Sequence, residues 1–269
     1  MRNKSGHLLR SRMEQIASGI SCCSRVRGCR VVVVLVAVLI PVGLAAGSGP
    51  RQAATATLTE ERPGRSTGEH FAFDYVNPDD PSGKPPAVAK VMTVLPRGGR
   101  FDPSVPDSCT ASDAELMLSG GAACPPGSAI GGGVITVDTG LPEPARIVTA
   151  DVEFFNNATD PEGEFIYVNT VRGTPARVII RADVTKHATV TEAGFLPGTL
   201  PDGGAIDTVD VDVAEVSRVI DGKRRNYITT PRRCPKSKRW TTRVEFTYPD
   251  GVTESVKTKN KCRRKQANR

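Results

Sequence analysis

The sequence predicts a mainly β fold, an antiparallel sandwich or barrel-like domain with one short helix, behind an N-terminal hydrophobic segment. Short runs rich in Val, Ile, Thr and Phe recur between turn signals. Glycine and proline are plentiful, at 26 and 21 of the 269 residues, and the aromatic content is only 5%. This composition favours short strands and many turns over long helices. The strands also show no regular alternation with long helical patterns, so a parallel sheet is not indicated.

The first 46 residues have the pattern of an export signal. Basic residues dominate before residue 31, and residues 31–46 form an uncharged apolar run that ends in Gly and Ala. This order is typical of a secretory signal peptide, and the run is shorter than the roughly 20 residues of a spanning helix. Two outcomes stay open. Cleavage would release an extracellular protein, whereas an uncleaved transmembrane segment would anchor it at the cell surface. Translation can begin at Met1 or at Met13.

Beyond the export segment, the sequence divides into a linker and a domain. Residues 47–69 are small and polar without periodicity, which predicts a flexible linker. Residues 70–269 contain the β-prone runs and four cysteines, and they are predicted to form one disulfide-containing β domain.

Alternating or apolar runs predict the positions of the strands. They lie at 71–75, 87–95, 129–138, 146–156, 164–171, 176–185, 205–220, 240–248 and 252–258. Ser112, followed three residues later by Glu115, predicts a capping box at the start of a short helix over 112–118. The Pro-Asp-Gly segment at 249–251 predicts the turn of a C-terminal hairpin.

Four of the seven cysteines lie beyond the apolar run, at Cys109, Cys124, Cys234 and Cys262. An even number in an exported region favours two disulfide bonds. Pairing the cysteines that are nearest in sequence predicts Cys109–Cys124 and Cys234–Cys262, and the second bond would close the open end of the C-terminal hairpin. Four buried free thiols are the alternative. A zinc site is disfavoured because the spacing is wide and no histidine lies near either pair.

Charge is distributed unevenly along the exported part. Residues 47–217 contain 12 basic and 24 acidic side chains, whereas residues 218–269 contain 17 basic and 4 acidic ones. Two interpretations stay open. The two regions attract each other within one soluble fold, or the basic region forms a surface that binds an anionic partner.

A bond between Cys234 and Cys262 would bring two basic segments together into one patch. The candidate anion-binding residues are Arg232, Arg233, Lys236, Lys238, Arg239, Lys261, Arg263, Arg264 and Lys265. Few aromatic residues lie between these cations, which disfavours nucleic acid as the partner. An anionic cell-wall polymer or a membrane surface is the favoured partner.

Two motifs resemble a pattern found in a broad family of secreted actinobacterial proteins of uncharacterised role. The first, LPxG...C...CPxxSxIGxG, starts at Leu95 and includes Cys109 and Cys124. The second, TPxxC...YxDG, starts at Thr230 and ends in the hairpin turn at Gly251. The resemblance spans most of residues 90–262. It implies an exported β domain with paired cysteines, and it implies no activity.

No catalytic, cofactor or metal motif stands out in the exported part. Its two histidines, His70 and His187, do not accompany a GxSxG nucleophile elbow. Carboxylates at 160, 162 and 164 could suit calcium, but a solvated turn is the favoured interpretation. The leading prediction is therefore a non-enzymatic exported β domain, associated with the cell wall or surface through its basic C-terminal patch. The alternative is a secreted hydrolase whose site is formed by distant residues, and a deep cleft containing His187 or converging carboxylates would favour it.

Overall fold

The computed structural model describes residues 49–158, 162–194, 196–200 and 203–263. The predicted export segment lies outside these ranges, so both of its outcomes stay predictions. Among the described residues, no helix has the length and apolar character needed to cross a membrane.

Within these ranges the chain forms fifteen strands and one α-helix, which confirms the predicted mainly β class. The strands are β1 (Gln52–Leu58), β2 (Glu69–Tyr75), β3 (Lys90–Val94), β4 (Arg100–Phe101), β5 (Ala129–Asp138), β6 (Ile147–Ala158), β7 (Gly163–Val171), β8 (Arg177–Val184), β9 (Ala188–Glu192), β10 (Ala205–Val213), β11 (Ser217–Ile220), β12 (Lys223–Asn226), β13 (Ile228–Thr229), β14 (Arg239–Thr247) and β15 (Thr253–Lys261). The helix is α1 (Asp113–Ser119), and two 3₁₀ turns follow it at Gly120–Ala123 and Pro126–Ser128.

The predicted capping box at the start of α1 is confirmed. The Ser112 hydroxyl accepts a hydrogen bond from the Glu115 backbone N–H, and the Glu115 carboxylate accepts one from the Ser112 N–H at 2.8 Å. Both contacts satisfy donors that a helix N-terminus otherwise leaves unpaired.

Eleven strands form one antiparallel sheet in the order β1-β2-β10-β5-β6-β7-β8-β9-β3-β14-β15. The two edges of this sheet approach each other, so that it is a nearly closed barrel. Asn260 on β15 accepts a hydrogen bond from the Leu58 N–H on β1 at 2.9 Å and donates one to the Ala56 carbonyl at 3.2 Å. Thr258 accepts a further bond from the Ala56 N–H at 3.1 Å. Side chains thus pair the backbone of an edge that would otherwise be open.

The two ends of the barrel differ in what covers them. One end, the Glu69 end, is where β1 finishes and β2 begins, with Leu58 opposite Glu69. The paired short strands β4 and β13 contribute the buried side chains of Phe101 and Ile228 to the core, together with Tyr227. The other end, the Tyr75 end, has a second buried cluster around Tyr75, Phe246 and Tyr248.

A third buried cluster lies between α1 and the outer face of β6 and β7. It contains Leu116 of the helix, Phe155 and Ile166 of the strands, and both sulfurs of the Cys109–Cys124 disulfide. The predicted bond is confirmed, and it fastens the helical connection to the barrel wall.

The prediction of a flexible linker over 47–69 is wrong, because β1 forms within it and pairs with β2 along its full length. The inward positions of β1 include Ala54 and Ala56, so the strand has little of the apolar signal that identifies buried strands. The predicted single strand over 205–220 is also divided. β10 ends at Val213, and β11 turns away to pair with β12 in a separate ribbon.

Candidate anion-binding site

The second predicted disulfide, Cys234–Cys262, is confirmed and joins the two basic segments of the C-terminal region. The Cα atoms of the two cysteines are 5.6 Å apart. The Cys262 N–H donates to the Lys238 carbonyl at 2.9 Å, and Arg239 lies directly opposite Lys261 in the β14–β15 ladder. The chain segments that carry the predicted cations are therefore held side by side.

Seven of the nine predicted anion-binding residues fall within the described ranges, and all seven side chains are exposed. They are Arg232, Arg233, Lys236, Lys238, Arg239, Lys261 and Arg263. Arg264 and Lys265 lie outside the described residues. Arg263 already pairs with the Glu61 carboxylate, and its N–H donates to the Glu61 carbonyl at 2.9 Å. Arg263 therefore fixes the C-terminal segment to residues 59–68, which connect β1 to β2, and it also adds a cation to the patch.

That connection brings two further arginines, Arg62 and Arg65, to the patch. Thr230 joins the two segments, because its hydroxyl donates to the Arg62 carbonyl at 2.7 Å and accepts from the Arg65 N–H at 2.9 Å. The Arg65 carbonyl accepts from the Thr230 N–H at 2.9 Å. These bonds place the two arginines beside Arg232 and Arg233.

The four arginines line a concave site of about 560 Å³, together with Pro63, Gly64 and Cys234. Among the described residues, no carboxylate contributes to this lining. Arg62 is paired with Glu60 at 2.6 Å, and this bond to Arg62 lowers the pKa of the Glu60 carboxyl. In the described part of the chain, Arg65, Arg232 and Arg233 have no ion pair with a carboxylate. The planar guanidinium group binds phosphate and carboxylate groups through two parallel hydrogen bonds, so this concave site is suited to an anion.

A stripe of exposed cations continues from this site along the outer face of β14 and β15. Two like-charged pairs face each other directly across the strands, Arg239 with Lys261 and Arg243 with Lys257. Lys259 lies between them on the same face. Like charges in this arrangement destabilise a sheet, and Glu245 offsets only part of the repulsion through its 2.8 Å ion pair with Arg243. An anionic partner lying along the stripe would relieve the remainder.

Trp240 holds the basic segment in position and is itself buried. It is 4% exposed, and its indole N–H donates to the Arg233 carbonyl at 3.1 Å. The aromatic ring is therefore part of the support for the arginines and is not available for stacking on a base or a sugar.

The two histidines of the described residues lie outside the arginine site. His187 is exposed in the turn between β8 and β9, where its Nδ1 lies 2.8 Å from the Gly99 carbonyl. Asp210 and Asp212 are exposed on the outer face of β10, with His70 Nδ1 3.0 Å from the Asp212 carboxylate. Within the described ranges, no group of three or more His, Cys, Asp or Glu side chains is arranged to hold a metal ion.

Sequence reasoning identified the cations near the cysteines but missed Arg62 and Arg65. Both fall in the segment that was predicted to be a linker. Their contact with Thr230 spans about 165 residues of sequence, and no local pattern indicates it.

Comparison with known proteins adds no assignment to this geometry. No family model matches the sequence, and no curated protein is significantly similar to it. The functional inference therefore rests on the arrangement of these arginines and lysines, and the resemblance to secreted actinobacterial proteins stays a prediction.

Proposed function

We propose that this protein is an exported, non-enzymatic binding module that attaches to an anionic polymer of the bacterial cell wall. The observation that carries the proposal is the site formed by Arg62, Arg65, Arg232 and Arg233, a concave surface lined by four guanidinium groups and, in the described part of the chain, by no carboxylate. The cation stripe on β14 and β15 extends this surface over a length that suits a polymer rather than a single small anion.

The distribution of charge around the barrel supports the same proposal. The connections at the Glu69 end include the basic segments 62–65, 223–225 and 232–239. Acidic side chains lie at this end too, since Glu60 and Glu61 pair with Arg62 and Arg263 and Asp212 lies opposite His70. The arginines and lysines of the three basic segments outnumber these carboxylates, so the Glu69 end carries a positive charge that would attract a polyanion.

Two disulfides fit a protein that works in an oxidising compartment. Together with the apolar run at 31–46, they support export and a location outside the cytoplasm, either released or held at the cell surface. No observation favours the hydrolase alternative, since His187 is exposed and bonded to the Gly99 carbonyl, and no carboxylate within the described ranges lines the arginine site.

The experiment is sedimentation of the full-length protein with insoluble cell wall, before and after extraction of the wall's anionic polymer. We expect binding to untreated wall and its loss after extraction. The double variant Arg232→Glu/Arg233→Glu should also bind the untreated wall more weakly than the wild type does. The matched control is Arg172→Glu/Lys90→Glu, which changes net charge by the same amount at the Tyr75 end and should bind as the wild type does.

Equal binding to extracted wall would contradict the proposal. Binding of the protein to vesicles of anionic phospholipid, without binding to wall, would identify a membrane surface as the partner instead.

A further inference from the structure

The interior of the barrel contains a cavity between its two buried end clusters. On β2, the inward side chains of Glu69, Phe73 and Tyr75 are only 1%, 7% and 4% exposed. Phe71 lies between Glu69 and Phe73 on the same face of the strand, yet it is only partly buried. Phe71 and Val209 are partly buried residues that pack against both end clusters. The accessible surface of these two side chains faces a cavity of about 130 Å³.

Eight strands contribute to the wall of this cavity, and most of the wall is apolar. The aliphatic and aromatic side chains come from β2, β5, β6, β8 and β10, together with Val91 of β3 and Phe165 of β7. A polar strip runs down one side of the cavity, on β7, β9 and β3, with β8 lying between β7 and β9 in the sheet. It is formed by Thr93, Tyr167, Asn169, Thr189 and Thr191.

The polar strip presents hydroxyl groups rather than charges. The Tyr167 hydroxyl lies 3.2 Å from the Thr191 hydroxyl, while the Asn169 amide already donates to the Val178 carbonyl at 3.0 Å. Burial raises the pKa of Tyr167 to about 12, so the phenol is neutral at neutral pH. Among the described residues, no charged side chain lines the cavity. An ionised ligand would lose its hydration here without gaining a counter-charge, and this is strongly unfavourable.

We propose that the barrel interior binds a small neutral molecule about the size of one aromatic ring, with its hydroxyl group directed toward Tyr167 and Thr191. Cavities of roughly 150 Å³ with apolar walls stay dry and take up benzene, so the volume matches a single ring with a short substituent. The mixed wall, mostly apolar with a few convergent polar groups, is the usual character of a small-molecule site.

The Tyr75 end of the barrel lies away from the anion-binding surface. A second cavity of about 180 Å³ lies there, lined mainly by small side chains such as Ala87, Ala193 and Gly204. Ile206 lines both cavities and stands between them. At the Glu69 end, Phe101, Tyr227 and Ile228 fill the interior. None of the four arginines of the anion-binding site lines the interior cavity, so each site can be tested without the other.

The test is calorimetric titration of the full-length protein with toluene and with p-cresol, which differ by one hydroxyl group. We expect both to bind with one site per chain. Tyr167→Phe should weaken p-cresol binding by about fivefold, the effect of one neutral hydrogen bond, and leave toluene affinity unchanged. Ile180→Phe should abolish binding of both ligands by filling the cavity. Thr241→Phe, on the exposed outer face of β14, is the matched control and should bind both ligands as the wild type does.

Failure of the wild type to bind either ligand at its solubility limit would overturn the proposal. Equal weakening of toluene and p-cresol by Tyr167→Phe would overturn it as well. Tyr167→Phe removes only one hydroxyl group, so this variant tests the proposal even if Ile180→Phe does not fold.

Discussion

Asn260 on the last strand accepts a hydrogen bond from the Leu58 N–H on the first strand at 2.9 Å, and this contact joins the two edges of an eleven-stranded sheet. The same side chain donates to the Ala56 carbonyl and, at 2.9 Å, to the Thr242 hydroxyl. Asn260 is 4% exposed, so water does not replace these bonds. One buried amide therefore takes the place of a backbone ladder.

Replacing this amide should weaken the whole barrel. We expect Asn260→Ala to lower the free energy of unfolding by about 2–4 kcal/mol, because it leaves buried backbone groups of Leu58 and Ala56 without partners. Lys259→Ala, on the exposed face of the same strand, should change it by about 0.5 kcal/mol or less. Urea unfolding followed by circular dichroism measures both. A loss for Asn260→Ala no larger than that for Lys259→Ala would contradict this role.

Glu69 should make stability decrease with pH. Its side chain is 1% exposed, neither carboxylate oxygen has a hydrogen-bond partner in the described part of the chain, and burial raises its pKa from 4.5 to about 8. The folded state holds the proton over this interval, while the unfolded chain releases it. The stability contributed by the protonated group is therefore complete below pH 4.5 and is lost as the pH rises toward 8.

We expect the free energy of unfolding to fall across that window by up to about 1.4 kcal/mol per pH unit. Glu69→Gln should remove this slope, because the amide does not titrate. Glu153→Gln, on the exposed outer face of β6, should keep it. Carboxyls with a lowered pKa, such as Asp107 hydrogen-bonded to Arg218, titrate at more acidic pH and do not contribute to the slope in this window. An unfolding midpoint that is constant between pH 4.5 and 8 in the wild type would show that the carboxyl is not buried as described.

The two disulfides should differ in their effect on binding. Removing Cys234–Cys262 by a double serine substitution should lower stability by about 3–4 kcal/mol on the loop-entropy model, and it should also weaken binding to wall polymer by releasing the basic segments from each other. Removing Cys109–Cys124 should lower stability by about 3 kcal/mol but leave binding intact, since that bond lies under α1. Wall sedimentation of the folded fraction separates the two effects. Equal loss of binding in both variants would mean that the Cys234–Cys262 bond does not organise the basic patch.

Local patterns predicted the elements whose own residues carry the signal. The alternating runs of β5 to β8 and the capping pair Ser112 and Glu115 fall into this class. β1 was missed because its inward Ala54 and Ala56 are small, and β4 and β13 were missed because two residues are too few to show a period. The helix and most strands of the sheet could therefore be predicted from the local sequence. The short strands β4 and β13 form only by pairing between segments that are distant in sequence.

The residues of the candidate site likewise fall into a group that the sequence predicts and a group that it does not. The predicted disulfide was enough to place Arg232 and Arg233 near Lys261. Arg62 and Arg65 join them only through Thr230, a contact between segments far apart in sequence. The interior cavity could not be predicted either, because an alternating pattern specifies which side chains point inward and does not specify whether they fill the space.

The salt dependence of binding to soluble anionic wall polymer tests the central claim most directly. We expect the logarithm of the affinity to fall linearly with the logarithm of the salt concentration for the wild type. The slope should become shallower by about two for Arg232→Glu/Arg233→Glu, on the scale known for nucleic-acid polyanions. The control Arg172→Glu/Lys90→Glu should retain the wild-type slope. Binding that is insensitive to salt, or equal slopes for the two double variants, would contradict the assignment of this surface as the polymer-binding site.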